Sequence, residues 1–544
     1  MAASFLLALG TAACSADASS GGSAANDASG PPTRGGTLTY AASIEPDCFD
    51  PHVSMADITA VLMRNVFDSL VSETSDGTFK PWLASEWKVS PDSLSYTFTL
   101  RENVLFSDGS PLDATAVKAN LDRIAAPETK SLYARQLLGP YAGTDVVDAR
   151  TAVVRLREPY APFLHGISTT YLGLRSPATF AGGAGDQLCA GGTGQVGSGP
   201  FTFTSYTKGQ QAVFARNQAY AWGPADAAHT GPAYLDKLVV RFLPQDAVRV
   251  GAVTSGQVDV AEKIPAANLQ ALGADRTVQL LRKDAPGVGY TWFFNTSSPP
   301  FDDSRTRLAV RAAVDLEHIV KAVYFNQYKQ AFSVLSPSTP GYDPATSNAP
   351  AYDRATADRL LDEAGWSARD SAGFRTKDGR RFAVDLLFQP EYTSADRTSL
   401  DTALQADLKK VGIELRLVPL HNAEYTPKRN RGEYHMVGFA WGGAEPDLLR
   451  VLFASDNQFT DGGANATRLR DPQIDEWLTR ASTASDLETR KGLYAQVQQK
   501  LAREGLVLPT AVLSKDIAAR RGVHGLRLDA NAWPLFLDAW VERR

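Results

Sequence analysis

The stretch "DTALQADLKKVGIELRLVPL", residues 401–420, restricts the possible folds more than any other. Leu404, Leu408 and Val411 recur at helical spacing and share one face. Gly412 follows, a residue that takes the left-handed backbone ending many helices. Ile413, Leu415 and Leu417 then alternate with polar neighbours, as on a half-buried strand. Helix, glycine and strand with no linker is the connectivity of layered α/β proteins.

Other segments agree. "GGTLTYAAS" predicts a short strand after a glycine pair. In "LSYTFTLREN", Tyr96, Phe98 and Leu100 alternate with Thr97, Thr99 and Arg101, a strand with one buried face. "LDATAVKANLDRI" places Val117, Leu121 and Ile124 on one helical face, with Asp113 as cap. "DDSRTRLAVRAAVDLEHIVKAVYF" predicts one long helix with Leu308, Ala312, Leu316, Ile319 and Val323 aligned, starting at Asp302 or Asp303.

The 544 residues suffice for two to four domains at roughly 150 residues each. A net charge of -5 forces no basic surface, so nucleic acid is not an expected partner. Beyond the N-terminus no apolar run approaches the ~18 residues of a membrane helix.

The N-terminus, "MAASFLLALGTAACSADASSGGSAANDASGPPTRGG", has a short apolar core, small residues leading to Cys14, and a Ser/Gly/Ala/Asp tract. It resembles a bacterial lipoprotein signal, cut before Cys14, whose thiol is then lipidated. The tract buries too little apolar surface to order itself and reads as a flexible tether. Met1 to Ala13 lacks the positive charge of such a signal, which leaves the true start open; the alternative is an apolar terminus with a chance cysteine. Export makes disulfides possible. Cys48 and Cys189 then either pair, tying the opening segment to "CAGGTGQVGSGP", or remain free thiols.

No motif of catalysis stands out. The seven histidines show no metal-ligand spacing, and neither GxSxG nor GxxxxGK[ST] occurs. "GTGQVG" (Gly192, Gly194, Gly197) matches GxGxxG, but Pro200 and the strand-like "FTFTSY" follow where a nucleotide loop needs a helix; it reads as a glycine-rich turn. No cofactor and no metal are expected.

Several segments, in order, resemble family 5 of the bacterial extracellular solute-binding proteins, the peptide and nickel receptors of ABC importers. They are "FKPWLASEWKVSPDSLSYTFTLRENVLFSDGSPLDATAVKANLDRI", with Phe106, Asp108, Gly109 and Pro111 in a turn into a helix; "GSGPFTFTSYTKGQQAVFARNQAYAWG"; "YLDKLVVRFLPQDAVRVGAVTSGQVDVA"; "WFFNTSSPPFDDSRTRLAVRAAVDLEHIV"; and "YHMVGFAWGGAEPDLL". The resemblance runs from about Gly36 nearly to the end. It implies an α/β, two-lobed Venus-flytrap fold (type II, cluster C) with an extra small α+β domain in the first lobe. The expected division is a signal peptide over 1–13, a tether over 14–35, a first lobe from 36–80, 196–285 and 515–544, the extra domain over 81–195 and a second lobe over 286–514, with crossings near Pro286 and Ser514.

The resemblance also implies a monomeric, non-catalytic receptor that holds a peptide or similar solute between its lobes, docks on an ABC permease with its ATPase, and touches the membrane only through its lipid. A secreted α/β hydrolase and a solute receptor outside transport are the alternatives. For the cleft it points to the loop "DCFDPHVSMAD" with Met55 and Ala56 on one wall. Tyr290, Trp292 and Asn295 at the crossing either stack on ligand or belong to the strand's core. The segment Trp441, Gly442, Gly443, Ala444, Glu445, Asp447 is expected on the other wall. Peptide receptors of the family place an Asp three residues after that Trp for the ligand's amino group; here the position is Ala444, with Glu445 or Asp447 as substitutes. Where dipeptide receptors carry an Arg for the ligand carboxylate, this chain has Glu391, Tyr392 and Thr393. These departures leave a longer or modified peptide, or another solute, open.

Overall fold

The computed structural model describes residues 30–131, 133–180, 188–348, 352–461 and 463–542. Cys14, the expected cut site and the tether up to residue 29 lie outside them.

Two mixed sheets organise the chain. The first has seven strands in the order Val278–Asp284, Ser514–Arg520, Val260–Ala261, Thr37–Ala42, Lys237–Phe242, Gln211–Arg216, Phe201–Thr207. Thr37–Ala42 lies at its centre, parallel to both neighbours. The second has six strands in the order Lys329–Gln330, Val507–Val512, Gly287–Phe294, Met436–Gly442, Ala383–Phe388, Glu414–Pro419. A four-stranded antiparallel sheet, Ala84–Val89, Ser95–Leu100, Thr151–Leu156 and Tyr141–Asp148, shares one apolar core with the first sheet.

Local chemistry explains the elements. Leu400, Leu404 and Leu408 are fully buried on the helix Ala395–Lys410, and Gly412 takes φ +88° beyond its end. Tyr96, Phe98 and Leu100 are the buried alternate residues of their strand. Asp113 caps Ala114–Ala125 by accepting from the Ala116 amide at 2.9 Å. The long helix expected over 302–325 is instead two, Ser304–Ala313 and Leu316–Val323. Val314 is extended, and Asp315 starts the second helix by accepting from the His318 amide, a local bond that competes with helix continuation. The glycine-rich "GTGQVG" leads into the strand Phe201–Thr207, and Gly197 passes so near the Val66 carbonyl that a Cβ would sit 2.0 Å from it.

The chain passes between the two large sheets at Ala285–Pro286 and returns at Leu513. The passages run side by side, with the Ala285 amide donating to the Leu513 carbonyl at 2.8 Å. Two short adjacent connections are the arrangement in which a few torsions allow hinge motion between two bodies.

Cys48 and Cys189 form a disulfide across 141 residues of sequence. Closing so long a loop restrains the unfolded chain, so replacing both cysteines with serine is expected to lower unfolding stability by about 2–4 kcal/mol. Denaturant titration checks this; an unchanged midpoint contradicts it.

Candidate functional site

A cavity of about 530 Å³ opens between the two large sheets, bounded by both crossing segments. Asp57, Lys263, Lys515 and Trp533 line it from the first lobe. Tyr324, Asp396, Arg397 and Gly442 line it from the second. Asp57, Lys263, Lys515, Asp396 and Arg397 form no ion pair among the described residues, so charges of both signs face the cavity unneutralised.

The first-lobe wall rests on a buried charge cluster in the "DCFDPH" turn. Asp50 pairs with Arg123 at 2.6 Å and with Arg175 at 3.1 Å; Asp50 and Arg175 are fully buried. Burial pulls the Asp50 carboxyl upward, but the charges of Arg175 and Arg123 and the hydrogen bond from Arg123 outweigh it and hold the group at about 2. Burial pushes His52 down to about 3. Its neutral ring accepts from Arg123 at Nδ1 (2.7 Å) and donates from Nε2 to the Gly173 carbonyl (2.9 Å). The cluster and the disulfide anchor the turn on one side; on the other, Thr59 donates to the Cys48 carbonyl at 2.7 Å. Met55 protrudes at the end of this loop, 52 % exposed. Ala56 is the N-cap of the helix Asp57–Met63, with no side chain to cap it.

The second-lobe residues expected to meet ligand at the crossing are engaged in the core. Tyr290 and Trp292 are fully buried and donate to the two oxygens of Asp401, at 2.7 and 2.8 Å. Asn295, 1 % exposed, donates to the Tyr434 carbonyl at 2.9 Å. None of Tyr290, Trp292 and Asn295 lines the cavity. Of the two readings for the aromatics at the crossing, the strand-core one describes Tyr290 and Trp292: strand Gly287–Phe294 is covered on both faces, so both side-chain rows point into protein.

The "WGGAEPD" segment does reach the lobe boundary. Trp441 is half-buried and, with Glu445 and Asp447, borders a smaller pocket facing Tyr133 and Tyr160 of the first lobe. Gly442 borders both pockets. Gly443 adjoins Ala444, whose amide donates across the boundary to the Asn531 carboxamide oxygen at 3.0 Å. The two acids proposed to replace the missing Asp already have partners. Glu445 pairs with Arg490. Asp447, 3 % exposed, accepts from Arg450 at 2.9 Å and from Tyr494 at 3.1 Å, and burial pushes its carboxyl up to about 6. Both carboxylates are thus already engaged by partners within the chain.

Reading the sequence alone missed Asp401, the Asp50 cluster, Tyr324, Arg397, Asn531 and Trp533. Asp401 carried a signal, since it adjoins the apolar face of Leu400, Leu404 and Leu408. Asn531 and Trp533, in a C-terminal turn, carried none.

The sequence pattern of the bacterial extracellular solute-binding proteins, family 5, middle region, matches residues 78–461. The chain belongs to this family. Heme-binding protein A of Haemophilus influenzae is 28% identical over 82% of this chain and 82% of its own. The dipeptide-binding protein of Pseudomonas aeruginosa is 26% identical over 90% and 92%. Among solved structures, NikA from Brucella suis in complex with Fe(III)-EDTA superposes with a TM-score of 0.81 at 26% identity, covering 93% of this chain and 100% of that one. The protein is therefore a two-lobed solute-binding protein. Among the described residues, no helix of this solute-binding protein is long and apolar enough to cross a membrane.

The buried acids make its stability depend on pH. Burial pushes Asp68 and Asp401 up to about 7, above their ordinary range. As pH falls from 8 to 6 the folded protein takes up protons there, while the unfolded chain, titrating near 4, does not. Unfolding stability is expected to rise by about 1–3 kcal/mol over that interval, and to be lost again as pH rises through about 7. Below about pH 6.5 His52 acts oppositely, because only the unfolded chain protonates it. Urea titrations at pH 6 and 8 check this; a flat profile, or one unchanged in an Asp68→Asn/Asp401→Asn variant, contradicts it.

Proposed function

We propose that this protein is the extracytoplasmic substrate-binding component of an ABC importer, taking a peptide or peptide-like solute. The observation that carries the reading is the cavity between the lobes, lined by unneutralised acids and bases from both sides. A small zwitterion complements such a surface, and one relative is named for a dipeptide. Solute that contacts both walls stabilises closure only by the difference in its affinity for the closed and open forms. The closed form then docks on a membrane permease, and a separate ATPase drives transport. Cys14, cut and lipidated, tethers a monomeric receptor to the membrane through the 14–35 segment. In domain terms, the first lobe comprises 36–80, 196–285 and 515–544, with the extra domain 81–195 packed on it; 286–514 forms the second.

The test has two steps. Native mass spectrometry of protein from its own host identifies any solute that co-purifies. That solute, with a panel of di- to pentapeptides, is then followed by thermal melting and small-angle scattering. The expected result is a melting temperature that rises with concentration, a more compact particle, and no turnover. Melting and scattering insensitive to every compound would end the reading, and consumption of a bound peptide would favour a hydrolase.

A further inference from the structure

Another cavity, of about 370 Å³, opens within the second lobe and shares no lining residue with the cleft. Its size lies in the range of small-molecule sites. It sits at the edge of the six-stranded sheet, beside the outermost strand Lys329–Gln330. The break between the helices Ser304–Ala313 and Leu316–Val323 forms part of the wall, since Val314 and Asp315 both line the cavity. Leu316, Val334, Leu501, Val507 and Leu508, each no more than 5 % exposed, make an apolar floor. Phe332 and Tyr352 stand at the rim, 41 % and 44 % exposed.

One guanidinium meets this apolar lining. Arg311, in the last turn of Ser304–Ala313, lines the cavity and forms no ion pair among the described residues. Its Nη1 donates to the Ala502 carbonyl at 2.5 Å, a neutral acceptor, and most of its five N–H groups have no acceptor among the described residues. Burial pushes the group below its ordinary value, and no nearby charge acts the other way. Arg307, one turn earlier, differs: the charges of Glu504, Asp303 and Asp302 offset its burial in part. A charge drawn out of water without a counter-charge costs free energy that a bound anion recovers. The two acids in the cavity wall are committed elsewhere. Asp315 accepts from the His318 amide at 3.1 Å, and Glu317 pairs with Lys321 at 2.6 Å.

We propose that this cavity is a second binding site, for a small organic monoanion with an apolar body: an aliphatic or aromatic carboxylate whose charged end takes the Arg311 guanidinium while its hydrocarbon part lies on the apolar floor. A planar carboxylate accepts two parallel N–H bonds from a guanidinium, the strongest pairing those donors make. An apolar lining with one fixed polar group is the usual construction of a site that orients a small molecule. Because the cavity shares no wall with the cleft, the inference is independent of the importer reading.

Sodium benzoate is the probe, followed by titration calorimetry beside benzyl alcohol and benzylamine, which keep the ring and change the charge. The wild-type protein is expected to bind benzoate saturably, and the neutral and cationic analogues about 10-fold or more weakly. Arg311→Gln should weaken benzoate by about 10- to 100-fold, the loss of a hydrogen-bonded charge pair. Phe332→Ala, at the exposed rim, should weaken it by about 2- to 10-fold, the loss of one aromatic contact. Circular dichroism establishes that both variants are folded; the rim variant keeps the test open should Arg311→Gln not fold. No saturable benzoate binding by the wild type, equal binding of benzyl alcohol, or an affinity unchanged in the folded variants overturns the site. A peptide that closes the lobes while benzoate fails sinks this inference and leaves the importer reading intact.

Discussion

Asp50→Ala is expected to lower unfolding stability by about 3–5 kcal/mol, because it leaves two guanidinium groups buried without their counter-charge. Asp50 and Arg175 are both fully buried, and the side chain of Arg123 is 13 % exposed. Water therefore cannot replace the lost carboxylate without opening the turn. His52 worsens the imbalance, since its neutral ring accepts from Arg123 but brings no negative charge. The loss should persist in an Asp50→Asn variant, which keeps the shape but not the charge. Equilibrium denaturation measures it, and a loss under about 1 kcal/mol would show that the cluster relaxes without cost. Solute affinity should also fall, because this turn carries the loop to Met55 and the start of the helix that presents Asp57 to the cleft.

Trp292→Ala should cost about 3–5 kcal/mol, the usual range for removing a large aromatic side chain from a packed interior. Trp292 is fully buried in the second lobe, and its Nε1 donates to Asp401 at 2.8 Å. The cavity left behind would also deprive a buried carboxyl of one of its two donors, with Tyr290 remaining. Trp292→Phe separates the two effects: it keeps most of the volume and loses the N–H, for about 1–3 kcal/mol. In neither variant should the folded fraction bind solute differently, because Trp292 does not line the cleft. Weakened binding in a Trp292→Phe protein of undiminished stability would restore the ligand-facing role.

Much of the framework was legible in the residues. The helix Ala395–Lys410, its glycine end and the strand after it follow from a change of apolar period from 3.6 to 2. The break of the 302–325 helix was not seen, because the apolar face continues in register through Asp315 and only the local cap interrupts it. The cleft was legible in part. Gly442 lines the cavity, and Trp441, Glu445 and Asp447 border the smaller pocket beside it. Yet the charges on Glu445 and Asp447 are taken up by Arg490 and Arg450.

The sequence by itself determined the elements, their buried faces and the family, because helix and strand periods and caps depend on residues a few positions apart. Which polar groups are satisfied and which face the cleft was decided only by tertiary structure. Asp50 meets Arg123 from 73 residues away, and Asn531 reaches Ala444 from 87. Pairing of charge depends on distance in space, and no local pattern in the chain encodes it.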